Sequence, residues 1–125
     1  MLKQLLIIGV GGGAGSILRY LVSFYTAKFY AGAFPIATFI VNIVGCFLIG
    51  LFTGIASNYF HYNTNLKLLL ITGFCGGYTT FSTFALENYN LLQYNYILTT
   101  IIYIALSVIC GLLAVWLGLS ISSSI

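Results

Sequence analysis

Gly73-Phe74-Cys75-Gly76-Gly77-Tyr78-Thr79-Thr80-Phe81-Ser82-Thr83-Phe84 sets glycines, hydroxyls and two phenylalanines three residues apart inside an otherwise apolar stretch. Hydrocarbon offers no hydrogen bonds to loosened backbone or stray hydroxyls. Such a segment survives at membrane depth only when enclosed by protein or facing a watery path. Interrupted helices of this kind mark ion and substrate sites in transport proteins. The stretch therefore predicts a broken membrane-spanning helix and, at the break, a permeation site.

The rest of the chain supports a lipid environment. Of 125 residues 61% are hydrophobic and 4% charged, where soluble domains carry about 25% charged residues. Hydropathy separates four segments, at about 5–29, 36–57, 66–87 and 96–119. Each is long enough to cross about 30 Å of hydrocarbon as a helix. The expected fold is an all-α integral membrane protein, one four-helix domain over 1–125 with the third helix broken. Pro35 suits the start of the second span, where its missing N–H leaves nothing unpaired. Tyr25, Tyr30, Tyr59, Tyr62, Tyr89, Tyr94 and Tyr96 fall near the expected ends, as an interfacial aromatic belt requires. Lys3, a short apolar run and small residues near Ala14 loosely resemble a signal peptide, but cleavage there would remove a span the fold needs.

Charge leaves the orientation open. In a four-span topology Lys3 and Lys67 share one side with the amino terminus and Lys28 lies on the other. Lysine and arginine in short loops set orientation, and a bias of two lysines to one is weak. Insertion both ways, and hence an antiparallel dimer, is one expectation; a single weakly specified orientation is the other. A formal charge of +3 from four bases and one acid makes no basic patch, so no nucleic-acid partner is expected.

Several motifs are better read as packing. Gly9-Val10-Gly11-Gly12-Gly13-Ala14 has the spacing of a dinucleotide fingerprint, but lacks the following acid and the βαβ unit. Gly9/Gly13, Gly11/Gly15, Gly12/Ser16 and Gly50/Gly54 instead form small-xxx-small pairs that let helices approach closely in lipid. Cys46, Cys75 and Cys110, one in each of three spans and without CxxC spacing, suggest neither a disulfide framework nor a metal site. His61 is the only histidine and has no second imidazole to share a metal.

Three polar features need another account. Arg19 lies within the first span, where a charge costs from about 2.5 kcal/mol at the bilayer centre unless it pairs, snorkels or meets water. Asn42, well inside the second span, carries an amide that must find partners. Phe81 and Phe84 share a helical face, amid the hydroxyls of Thr79, Thr80, Ser82 and Thr83. Phenyl rings have positive edges. Ring edges, hydroxyls and an amide N–H together suit a small anion that must also leave again.

At these residues the chain resembles the Fluc family of fluoride channels, also known as CrcB proteins. The likeness runs through Gly12-Gly13-Ala14-Gly15-Ser16-Ile17-Leu18-Arg19-Tyr20, then Pro35 and Asn42-Ile43-Val44-Gly45, then the block from Gly73 to Phe84 with Glu87. The resemblance implies a passive, fluoride-selective channel in the bacterial inner membrane that exports cytoplasmic fluoride. It implies an antiparallel, dual-topology homodimer with two pores. Phe81 and Phe84 correspond to the family's paired pore phenylalanines and Asn42 to its pore asparagine, with Ser82 and Thr83 offering hydroxyls beside the path. In the fourth span Thr100, Tyr103 and Ser107 form a polar stripe, of which Tyr103 and Ser107 match the family's more variable polar track. Arg19 is expected at a vestibule wall. Glu87 either pairs locally or serves the ion path. The resemblance further implies a structural sodium ion (Na+) at the dimer interface, held by the backbone carbonyls of Gly76 and Thr79.

The alternative is a small multidrug-type, proton-coupled exporter, also four spans long. That chemistry needs a membrane-embedded carboxylate, and the only acid, Glu87, lies at the end of the third span. No nucleophile–base pair or metal cluster suggests an enzyme.

Overall fold

The computed structural model describes residues 1–59 and 63–125; His61 and Tyr62 lie outside them. Every regular element among them is helical. Four helical stretches are long and apolar enough to cross a membrane: Leu2–Phe29, Ile36–Tyr59, Thr64–Gln93 and Ile97–Ser123. The first, second and fourth are single helices, α1 (Leu2–Phe29), α2 (Ile36–Tyr59) and α6 (Ile97–Ser123). The third is composite. It starts as α3 (Thr64–Lys67), widens to π-helical geometry over Leu68–Cys75, and closes one more turn as α4 (Gly76–Tyr78). Thr79 and Thr80 are extended, and the chain re-enters a helix as α5 (Phe81–Gln93). The break falls within the quoted glycine–threonine stretch.

The ends follow local chemistry. Asn63 caps α3 by accepting from the Leu66 N–H at 3.1 Å, which meets an otherwise unpaired donor. Beyond the expected limit of 87, α5 continues to Gln93, and Asn88 Nδ2 donates back to the Phe84 carbonyl at 2.9 Å. The connection to α6 is correspondingly short. Its Asn95 takes φ 62°, a left-handed conformation that Asn tolerates well. At the other end, the expected polar tail at 120–125 is helical through Ser123. Its serines donate back to carbonyls three or four residues earlier, and Ser122 is fully buried.

Glycine decides how the helices pair. A Cβ on Gly11 or Gly15 of α1 would collide with the backbone of the third span at Leu69 and Phe74, and one on Gly77 would collide with the Gly12 carbonyl. In the α2–α6 pair, Gly50 meets the Val115 backbone and Gly118 meets that of Phe47. Helices in lipid associate through such close packing because burial of apolar surface drives nothing there. Gly9 and Gly13, two residues out of phase with Gly11 and Gly15, face open space in the single chain. Gly77→Ala is therefore expected to destabilise the fold by about 1–3 kcal/mol, seen as a lower melting temperature in detergent. Gly13→Ala should melt like the parent; equal melting of both variants would refute this packing.

Candidate functional site

The break is held from α2. Asn42 Oδ1 accepts from the Thr80 N–H at 2.8 Å, and Asn42 Nδ2 donates to the Thr80 carbonyl at 3.1 Å. One side chain thus satisfies both polar groups of a residue that has left the helix. One turn along α2, buried Gly45 makes room for Thr79, since a Cβ there would meet the Thr79 methyl. Thr80 in turn starts α5: its Oγ1 accepts from the Thr83 N–H at 3.3 Å and donates to Thr83 Oγ1 at 3.0 Å. On the other side, Thr79 Oγ1 donates to the Cys75 carbonyl at 2.8 Å, which also accepts the Thr79 N–H at 3.0 Å.

Two cavities meet at this break. The larger, about 570 Å³, is lined by Asn42, Gly76, Thr79, Thr80, Phe81, Phe84 and Ser107, with Cys46 and Cys75 among its other walls. The Ser107 hydroxyl is buried without a hydrogen-bond partner, and Asn42 keeps one amide hydrogen beyond the one Thr80 takes. The second, about 270 Å³, is lined by Ser16, Arg19, Ser23, Thr38, Thr80 and Thr83, with Tyr20 and Val41. No acid lines it. Arg19 is half-buried there and brings positive charge among five threonine and serine residues, four from three helices and Thr80 from the break. Thr80 belongs to both cavities.

Aromatic rings continue from the larger cavity. Phe81 and Phe84 have centroids 5.8 Å apart, and Phe84 meets Tyr103 edge-on at 4.9 Å and 68°. Tyr103 is fully buried, touches Phe34 edge-on, and donates its hydroxyl to Glu87 Oε1 at 3.4 Å. Glu87 lines a further cavity of about 540 Å³ with Tyr30, Asn90 and Tyr94. By contrast Phe81 is 78% exposed in the single chain.

The sequence-derived residues are therefore distributed as follows. Asn42, Phe81, Phe84 and Ser107 share one cavity with Gly76 and Thr79, while Arg19 and Thr83 share the other. Tyr103 joins Phe84 to Glu87. Ser82 is exposed and lines neither cavity, its hydroxyl lying 3.4 Å from Thr80 Oγ1. Thr100 spends its hydroxyl on the Tyr96 carbonyl at 2.9 Å. Ser16, Ser23, Thr38 and Thr80 line these cavities without having been assigned a site role from the sequence. Thr80 stood inside the quoted motif, but only its partnership with Asn42, 38 residues away, reveals its place. Nothing local distinguishes Thr38 from any other threonine in an apolar span.

Gly76 and Thr79 line the larger cavity, and none of the hydrogen bonds formed by Asn42, Thr79 or Thr80 at the break ends on either carbonyl. Free backbone oxygens are fitting ligands for a hard cation.

Comparison with known proteins places this arrangement. The family model described as CrcB-like protein, Camphor Resistance (CrcB), matches residues 6–119. The fluoride-specific ion channel FluC of Flavobacterium psychrophilum is 50% identical over 124 residues, covering 99% of this chain and 100% of its own. FluC proteins of Azobacteroides pseudotrichonymphae and Phocaeicola vulgatus are 44% and 45% identical, covering 94% and 97% of this chain and 94% and 99% of theirs. A match that runs from the first helix through the broken segment to the end of the fourth makes this chain a member of the CrcB family.

Proposed function

We infer that this chain is a fluoride-selective ion channel, a multi-pass protein of the bacterial inner membrane that lets cytoplasmic fluoride leave down its electrochemical gradient. The observation that carries the reading is the larger cavity at the break. It combines phenyl rings, the unpartnered Ser107 hydroxyl and the spare Asn42 amide hydrogen, and no fixed cation lines it. Such groups contact an anion weakly enough to release it, as conduction requires. Family membership and the FluC relatives supply the ion. Nothing in the fold or among the relatives favours the drug-exporter reading.

Passive export suffices. Each charge crossing about 100 mV gains about 2.3 kcal/mol, equivalent to roughly a fifty-fold outward gradient. HF that enters the cell dissociates in the less acidic cytoplasm, and the trapped anion leaves through the channel.

The working unit in this reading is an antiparallel homodimer inserted in both orientations. Support comes from the weak lysine bias and from the exposure of Phe81 and Gly76 beside the break, which a second copy would cover. Asn42, Phe81, Phe84 and Ser107 then line each fluoride path, Tyr103 and Glu87 continue it, and Arg19 with Thr83 gives it a positive vestibule. The carbonyls of Gly76 and Thr79 would hold sodium together with those of the second copy, since two oxygens are few for a hard cation. Bound there, sodium supplies positive charge to backbone that the break leaves exposed.

Liposomes loaded with potassium fluoride, treated with valinomycin and followed with a fluoride electrode, test the function. Rapid fluoride efflux with negligible chloride efflux from parallel vesicles is expected. Equal rates for the two halides, or none from correctly inserted protein, would end this reading.

A further inference from the structure

The break in the third span raises a question of hydrogen-bond bookkeeping. In an uninterrupted α-helix the N–H of Thr80 would pair with the carbonyl of Gly76, and the N–H of Thr83 with the carbonyl of Thr79. Neither pairing is available here. Asn42 Oδ1 takes the Thr80 N–H at 2.8 Å, and Thr80 Oγ1 takes the Thr83 N–H at 3.3 Å. The two carbonyls deprived of these helical partners are those of Gly76 and Thr79, and both residues line the larger cavity.

We propose that Asn42 is a positioning residue for a cation site as well as a wall of the anion path: by diverting the Thr80 N–H it keeps the Gly76 carbonyl free for sodium. Thr80 does the same for the Thr79 carbonyl through its cap on α5. The inference rests on the sodium reading above and adds its cause. Asn42 Nδ2 also grips the Thr80 carbonyl at 3.1 Å, so α2 fixes the break from both sides of the peptide. Gly45 on the same face of α2 admits Thr79, which lets the asparagine come this close. One side chain thereby ties the geometry of the anion path to the occupancy of the cation site.

Competition between a backbone N–H and a cation for one carbonyl makes the proposal testable without measuring fluoride. Purified full-length protein in detergent is melted across a sodium titration, with N-methylglucamine keeping ionic strength constant. A ligand bound only by the folded state stabilises it as the logarithm of one plus the ratio of its concentration to Kd, so the melting temperature starts to climb once sodium approaches its dissociation constant. Wild-type protein should show a rise that becomes linear in the logarithm of sodium concentration above that constant. Asn42→Ala releases the Thr80 N–H to the Gly76 carbonyl, and its apparent sodium affinity should fall about fivefold to tenfold, the value of one hydrogen bond. Replacing the Thr80 residue of that variant by its α-hydroxy acid turns the N–H into an ester oxygen and removes the competitor. The ester also makes the Thr79 carbonyl a weaker ligand, so the reference is the same ester with Asn42 intact. With no N–H to compete, Asn42→Ala should no longer lower sodium affinity, an outcome general damage to the fold could not produce. Thr80→Ala, which frees the Thr83 N–H, should weaken sodium similarly and carries the test if Asn42→Ala yields no folded protein. Wild-type sodium affinity in the folded alanine variants would overturn the coupling. A wild-type protein indifferent to sodium would overturn the cation reading itself and this proposal with it, and fluoride efflux would then still report on the channel reading separately.

Discussion

Replacing Phe81 or Phe84 by isoleucine is expected to lower fluoride efflux from liposomes by up to about tenfold for each variant. Isoleucine keeps bulk and hydrophobicity but has no ring and hence no positive edge to offer an anion. An aromatic edge contact is worth about 0.5–1.5 kcal/mol beyond its burial, and about 1.4 kcal/mol is a factor of ten. The two substitutions should differ in their effect on the fold. Phe81 is 78% exposed in one chain, so its loss removes little packing within that chain. Phe84 sits edge-on against Tyr103 at 4.9 Å, and its loss should also destabilise the chain by about 1 kcal/mol. Melting and efflux measured on the same preparations separate the effects. Parental efflux in both variants would remove the phenylalanines from the ion path.

Asn42→Asp is the second large expected effect. The carboxylate can still accept the Thr80 N–H, but it has no hydrogen to give the Thr80 carbonyl, which Asn42 Nδ2 contacts at 3.1 Å. Two oxygens would face each other there. A negative charge would also border a cavity that an anion must enter. Two unit charges about 4 Å apart repel by about 4 kcal/mol at an effective dielectric constant of about 20, close to a thousandfold in occupancy. Fluoride efflux should fall by at least about a hundredfold, with the protein still folded. Undiminished efflux would place Asn42 outside the path, and its role would then be confined to holding the break.

The two substitutions probe different parts of one arrangement. Phenylalanine contributes a surface to the ion, and a surface can be judged from residue type and i, i+3 spacing. Asparagine contributes hydrogen bonds, and their number at the ion depends on how many the backbone has already claimed. In this fold the Thr80 peptide claims the amide oxygen and one amide hydrogen. What remains for an anion is a single donor, beside the unpartnered hydroxyl of Ser107. Weak, divided donation of this kind is compatible with rapid transit.

Sequence alone determined the lipid environment, the four spans and the broken third helix, because hydrocarbon penalises every charge and every unpaired backbone group in the same way along the chain. It also marked Phe81 and Phe84, whose shared face follows from helical spacing, and Asn42, an amide with no business in lipid unless partnered. Span limits were less legible: α5 and α6 run past their expected ends, and serine and asparagine side chains there return hydrogen bonds to the preceding turn. Only the tertiary structure decided which polar groups are spent and which are free. Asn42 meets Thr80 across 38 residues and Tyr103 meets Glu87 across 16, and no local pattern encodes either partnership. The same holds for the glycines, where Gly11 and Gly15 touch the third span and Gly9 and Gly13 touch nothing. Composition and periodicity report what each residue needs from its solvent. Which neighbour supplies it depends on how the helices are brought together, and that is a property of the packed bundle.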